Sequence, residues 1–360
     1  MLGLPPEMRH VQAHGGNSVR QILATLLMIW GMAAAAADWQ ALPKSPPIPK
    51  DNPQTPEKIQ LGKQLFFDPR LSLTGVISCN SCHNVMEGGD DDRRFASGIM
   101  GKEGGRNSPT VWNAAFHSVQ FWDGRAKSLE EQAKGPMVNP VEMGMPNHQM
   151  VMERIAALPE YRASFAKVFG SKDALTIQNA VKAIAAYERT LITPNTPYDR
   201  FVRGDKKALS TQAQAGMKLF GDLGCTSCHS GPNFNGPPLP EGQGFFQRFP
   251  TYKDNEYVAR YKLMDDKGKA AATGNEEDEH LFRVPTLRQV ALTAPYFHNG
   301  SVATLSEAVR VMARVQLNKK LDDAQVAQLV AFLESLSGGF PQQTMPRLPS
   351  LPGQTILKDR

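Results

Sequence analysis

The chain has 360 residues, 41% of them hydrophobic, which suits two medium domains and a packed interior rather than one small domain or a disordered polymer. A formal charge of +5 without any Lys/Arg-rich run gives no support to nucleic-acid binding. Residues 1–37 read as an export signal: Arg20 precedes an apolar stretch from Ile22 to Met32, and Ala35, Ala36 and Ala37 offer a cleavage site before Asp38. That stretch is shorter than the roughly 20 residues a bilayer span needs, although an uncleaved anchor is the alternative. The region before it is long and contains Pro5 and Pro6, so translation is expected to start downstream of Met1. Residues 38–57 form a proline-rich lead-in with little regular structure expected.

The four cysteines occur only as Cys79-Asn80-Ser81-Cys82-His83 and Cys225-Thr226-Ser227-Cys228-His229. Two disulfides are the alternative reading for an exported chain. Against them, both pairs share a two-residue spacer and both run straight into histidine. Two thiols on one helical turn add to the vinyl groups of a haem, and the next imidazole becomes the proximal iron ligand. The pattern therefore predicts two haem c groups, on Cys79 and Cys82 with His83, and on Cys225 and Cys228 with His229. Zinc has little support, since no further Cys or His pair lies at finger spacing.

The halves repeat. Gly62, Leu65, Phe66 and Asp68 match Gly216, Leu219, Phe220 and Asp222, and Pro109-Thr110 matches Pro285-Thr286. Gly124 and Leu129 match Gly300 and Leu305, and the helical pattern of Ile184 to Leu191 matches that of Leu329 to Leu336. The expected fold is mainly α: two cytochrome c-like domains in tandem, over residues 58–205 and 206–340, with a tail over 341–360. From Leu129 to Leu191 the first copy is about twice as long as the second from Leu305 to Leu336, and this insertion contains Glu142. Met312, seven residues after Leu305, corresponds to Pro136 in the first copy. A thioether can fill the sixth position of a haem iron and proline cannot. One closed, electron-transferring haem and one with an open distal side follow. Met312 as a gap-filling core residue, Met137 or Met143 as a ligand of the first haem, and Glu142 as a solvated surface carboxylate are the competing readings.

At this point the chain resembles the bacterial dihaem cytochrome c peroxidases and the related MauG-type enzymes, over essentially the whole mature length. The stretches that carry the resemblance include Arg106-Asn107-Ser108-Pro109-Thr110, Gln120-Phe121-Trp122-Asp123-Gly124-Arg125, Glu131 to Pro136, Val141-Glu142-Met143, Val284 to Arg288 and Leu292 to Gly300. The resemblance implies a periplasmic peroxidase that reduces hydrogen peroxide with electrons from a small donor, a c-type cytochrome or a cupredoxin. By position it implies Glu142 as the catalytic acid/base, Gln132 beside it in the distal pocket and Trp122 as an electron relay between the haems. Asn107, Thr293 and Pro295 fall on the ligands of an interdomain calcium ion, the last two through backbone carbonyls. Met312 falls on the distal ligand of the electron-transfer haem, a place that MauG gives to tyrosine. The family is commonly dimeric. A MauG-like oxidase acting on a protein, or a dihaem electron carrier, are the rival functions.

One departure stands out. Family peroxidases carry a histidine in the glycine-rich loop before Arg106 that blocks the peroxidatic haem until the other haem is reduced. Residues 86–105 contain none; the aligned position is Ile99, beside Met100. Met86, Met100 and Lys102 are the remaining side chains in the loop able to cap an iron, and Met100 is the best placed of them. His117 and His148 are expected to be structural.

Overall fold

The computed structural model describes residues 39–171 and 173–350, together with 353, 355 and 357; the proposed export signal lies outside the described residues. No helix among the described residues is long and apolar enough to cross a membrane. The first copy contains α1 (Pro56–Phe67), α2 (Cys79–Cys82), α3 (Leu129–Val138), α4 (His148–Ala156), α5 (Pro159–Phe169) and α6 (Ile177–Glu188). The second contains α7 (Pro197–Val202), α8 (Thr211–Asp222), α9 (Glu256–Arg260), α10 (Ala270–Thr273), α11 (Leu305–Leu317) and α12 (Asp323–Glu334). A short antiparallel ribbon, β1 (Phe246–Arg248) with β2 (Leu281–Arg283), pairs Phe246 with Arg283.

Local sequence explains the helix starts. Thr55 caps α1 by accepting from Lys58 N at 3.2 Å, with Pro56 and Glu57 in the first turn, so the helix begins within the range assigned to the lead-in. Asp322 and Gln325 close a capping box on α12. In each copy the first long helix crosses the last at a glycine. A Cβ on Gly62 would stand 1.8 Å from Ala183 O, and one on Gly216 would stand 1.9 Å from Gln328 O. Only glycine lets α1 meet α6, and α8 meet α12, this closely. Gly216→Ala is therefore expected to destabilise the protein by about 1–3 kcal/mol through overpacking, seen as a lower Tm at unchanged haem content.

The tandem repeat extends to individual bonds. Thr110 Oγ1 donates to Gly88 O and Thr286 Oγ1 to Asn233 O, both at 2.7 Å. Asn113 N donates to Leu191 O at 2.8 Å and Gln289 N to Leu336 O at 3.2 Å, and both donors take left-handed backbone, at φ 62° and 63°. The copies then bond to each other reciprocally: Asn107 N to His298 O at 2.8 Å, and Arg283 N to Trp122 O at 2.9 Å. The insertion after the first haem motif folds as α4 and α5, which bury Val151, Ile155, Tyr161 and Phe165 in the first copy's core.

Both ends pack across the copies. The lead-in has no regular structure, yet Trp39 meets the Tyr198 and Phe332 rings in the second copy, and Asn52 donates to Lys182 O at 2.9 Å in the first. The tail runs back along the first copy: Phe340 stands edge-on to Trp112 at 4.8 Å, and Arg70 donates to Pro349 O at 2.8 Å.

Candidate functional site

Helix α2 puts Cys79 and Cys82 on one turn and ends at His83, whose amide donates to Cys79 O at 3.0 Å. These residues line a cavity of about 460 Å³ that also takes in Trp122, Gln132 and Glu142. That volume is in the range of cofactor sites. All four cysteines are free thiols, and desolvation pushes Cys82 and Cys225 up to about 12. Cys79 is raised by desolvation in the same way, and among the described residues no group of three or more His, Cys, Asp or Glu is arranged to hold a metal ion. Burial holds both His83 and His229 below the ordinary 6.5, in the neutral form that ligates iron. His229 Nδ1 lies 3.0 Å from Phe234 O, the bond that orients a proximal imidazole; His83 Nδ1 is approached by the Gly89 and Pro109 carbonyls without a well-aligned bond. Paired free thiols and a neutral imidazole on the wall of a cofactor-sized cavity fit covalently held haem.

Glu142 stands on the turn after α3. Its Oε1 accepts from Asn139 Nδ2 at 2.8 Å, while desolvation raises the carboxyl above its ordinary range, opposed by Arg125 and Asn139. Arg125 itself lies over the Phe121 ring at 3.5 Å and pairs with Asp123 at 2.8 Å. Sequence reasoning passed over Asn139; its place three residues before Glu142 in a turn was the available signal. Pro136, the counterpart of Met312, lines the cavity, as does Met143, whereas Met137 sits in the core at 1% exposure.

The glycine-rich loop turns its donors away. Residues 97 and 103 bridge, Gly98 N donates to Lys102 O at 2.7 Å, and Met100 occupies the tip at φ 55° with 65% exposure. Met86 is equally exposed, and Lys102 Nζ donates to Pro140 O at 3.2 Å. Met100, in the sequence the best placed of the loop's possible caps, is thus directed elsewhere: a left-handed residue at this hairpin tip points its side chain to solvent. Ile99 is 3% exposed and plugs into Gly144, where a Cβ would meet its Cδ1 at 2.1 Å, while its amide donates to Glu142 O at 2.9 Å. What the loop shows the cavity is Ala96, Gly98, Gly104 and Gly105.

Trp122 is held by its Nε1, which donates to Asn107 O at 2.9 Å, and its ring stands edge-on to His298 at 6.4 Å. The two are counterparts in the repeat, each following a phenylalanine in left-handed backbone, Phe121 at φ 67° and Phe297 at φ 72°. Such a conformation is strained for a bulky residue and marks a constrained turn. His117 is neutral and accepts at Nδ1 from Arg283 and Asn235, each at 2.8 Å, and His148 Nε2 pairs with Lys134 O at 2.9 Å. Both rings are thus engaged by protein partners, and His117 also lines the cavity.

In the second copy, Cys225 and Leu305 of α11 both pack against the core cluster of Phe220, Phe234 and Phe332, and Met312 of the same helix packs against the adjoining cluster that contains Tyr296 and Val311. Asn107 is 6% exposed, with its Nδ2 donating to Arg93 O at 2.8 Å, and its backbone bond to His298 ties it to the loop holding Thr293 and Pro295.

Residues 56–207 match the profile of the di-haem cytochrome c peroxidases, and residues 213–337 match that of cytochrome c. The chain is 44% identical to a cytochrome c551 peroxidase of Pseudomonas aeruginosa, over 91% of this chain and 95% of that one. It is 42% identical to a cytochrome c551 peroxidase of Nitrosomonas europaea, over 90% and 92% of the two chains. Among solved structures, a MauG-like protein associated with microbial copper homeostasis superposes with a TM-score of 0.72 at 29% identity, over 82% of this chain and 94% of that one.

Proposed function

The chain belongs to the di-haem cytochrome c peroxidase family, and from that premise we propose that it reduces hydrogen peroxide at the Cys79/Cys82 haem with electrons that enter at the Cys225/Cys228 haem. The observation that carries this reading is the meeting of Glu142 and Gln132 with Cys79, Cys82 and His83 in one cavity to which the loop at 96–105 offers no ligand. When bound, the haems supply the redox chemistry. The protein moves the proton. Asn139 occupies Glu142 Oε1, so Oε2 takes the proton from the near peroxide oxygen and returns it to the far one as water leaves. Gln132 orients the peroxide, and Trp122, fixed by Asn107, forms the path between the copies.

In this reading His83 and His229 would each bind a haem iron, and Met312 would bind the iron of the second haem. Support for Met312 comes from the repeat: its counterpart Pro136 lines the first cavity. Met312→Ala is expected to abolish the weak Fe–S charge-transfer band in the near infrared and to lower that haem's potential. A spectrum unchanged by the substitution removes Met312 from the site. Asn107, with the carbonyls of Thr293 and Pro295, holds calcium between the copies; its amide nitrogen is taken by Arg93 O, which leaves the oxygen for a hard cation. Export to the periplasm, by residues 1–37, brings the enzyme to a small donor, and the names of its relatives favour a c-type cytochrome.

Steady-state turnover of peroxide with a reduced c-type cytochrome tests the assignment. Rapid oxidation of the donor is expected. A protein that ignores the donor and instead holds a long-lived doubly oxidised state is a MauG-like oxidase, and one with both irons six-coordinate and no peroxide turnover is an electron carrier.

A further inference from the structure

Glu188 ends α6, is 6% exposed, and lines the first cavity, where no step described above uses it. Its Oε2 is buried without a hydrogen-bond partner. The repeat provides an internal comparison. The glycine crossings align Ala183 with Gln328, which places Leu333 of α12 at the position of Glu188. Leu333 is likewise 6% exposed. The same slot is filled to the same depth by an apolar side chain in the other copy, so packing does not require a carboxyl there. Burying one without a partner costs free energy that leucine avoids.

We propose that Glu188 is the proton acceptor coupled to reduction of the Cys79/Cys82 haem: above its oxidised-state ionisation, the Glu188 carboxylate takes up one proton from solvent as that iron passes from ferric to ferrous, and reoxidation releases it. The inference rests on that haem being carried by Cys79 and Cys82. An electron arriving beside a carboxylate in a poorly polarisable site raises its proton affinity, because the added negative charge repels the ionised form.

The surroundings leave the group uncompensated. Desolvation pushes it up to about 8, with Arg189 opposing and Glu130 adding. Arg189 is engaged by Glu130 of α3 at 2.7 Å. From α1, Lys58 Nζ bonds Asn52 and Pro53, and Lys63 Nζ lies over the Tyr187 ring. From α2, Cys79 brings no charge, since its sulfur is the thioether that carries the haem. On α4, His148 bonds Lys134 O, Glu153 accepts from Gln149, and Arg154 bonds Ser72 O. Elsewhere on the cavity wall stand Glu142, Asp266, Arg106, Arg125 and Arg283, with neutral His83 and His117. The sign follows. The ferrous form holds the proton more tightly, so the potential of this haem falls as pH rises between the oxidised-state and reduced-state ionisations.

Spectroelectrochemical titration of the holoprotein from about pH 6 to about pH 10, a range that extends well above the oxidised-state ionisation, tests the proposal. The first haem's potential is expected to fall with pH through one ionisation in the wild type and to be flat in Glu188→Gln, with the second haem's profile unchanged. Glu188→Leu installs the second copy's own residue and should flatten it equally, which keeps the test open should the amide variant fold poorly. The wild-type reduced-minus-oxidised infrared spectrum, taken at about pH 9 and so above the oxidised-state ionisation, should gain a protonated-carboxyl band that the Gln variant lacks. A wild-type potential independent of pH, a variant that titrates like the wild type, or no carboxyl band on reduction overturns the proposal. Haem content and peroxide turnover measured on the same samples report separately on the peroxidase reading.

Discussion

Glu142→Gln is expected to lose peroxide turnover by at least about 100-fold, the low end of a general acid–base contribution, while both haems are still incorporated. Glutamine keeps the shape and can still accept from Asn139 Nδ2, so the turn after α3 should survive. What it loses is the lone pair that takes a proton from the near peroxide oxygen. The wild-type pH profile carries the same signature. Glu142 must be ionised to act as base, and desolvation raises it from the ordinary 4.5. Activity should therefore fall on acidification with a midpoint above that value, and this limb should vanish from the residual activity of the Gln variant. Turnover within a fewfold of wild type would remove Glu142 from the mechanism.

The fully oxidised enzyme is expected to react with one equivalent of peroxide without prior reduction of its second haem. A blocking ligand needs a lone pair on the cavity side of the loop, and this loop offers backbone there. Ile99, at the place where the resemblance implies a blocking histidine, is turned into the packing against Gly144, with its amide bonded to Glu142 O. The same bond ties the loop to the segment carrying Glu142, so the loop arrangement and the position of that carboxyl support each other. Stopped-flow mixing reads the result directly. If the haem spectrum is unchanged until an electron is added, some group reaches the iron and the loop must rearrange in the holoprotein.

The absence of an imidazole from the loop was legible in the chain, since it needs no coordinates; the fate of Met100 was not. Its side chain is turned out by a left-handed tip whose hairpin closes through Gly98 and Lys102, and that geometry depends on how residues 96–105 pack against residues 139–144. Asn139 was likewise missed. Its spacing to Glu142 was visible, but many such pairs face solvent, and only the cavity distinguishes this one. The proline-rich lead-in read as loose because it lacks periodicity, yet it is pinned at Trp39, Leu42 and Asn52 by partners more than 70 residues away, including Glu130 and Asp199.

The sequence by itself determined the chemistry that is local along the chain. Two thiols and an imidazole within five residues are brought together by a single helical turn, whatever the rest of the molecule does, and a tandem repeat is a matter of spacing. Tertiary structure alone decided which polar groups share a cavity and what charge they carry. Glu142 and Glu188 are both ordinary glutamates in the sequence, 46 residues apart. They become special only because folding strips water from each carboxyl and sets its neighbours. Desolvation is a property of everything packed around a group, and no spacing rule encodes it.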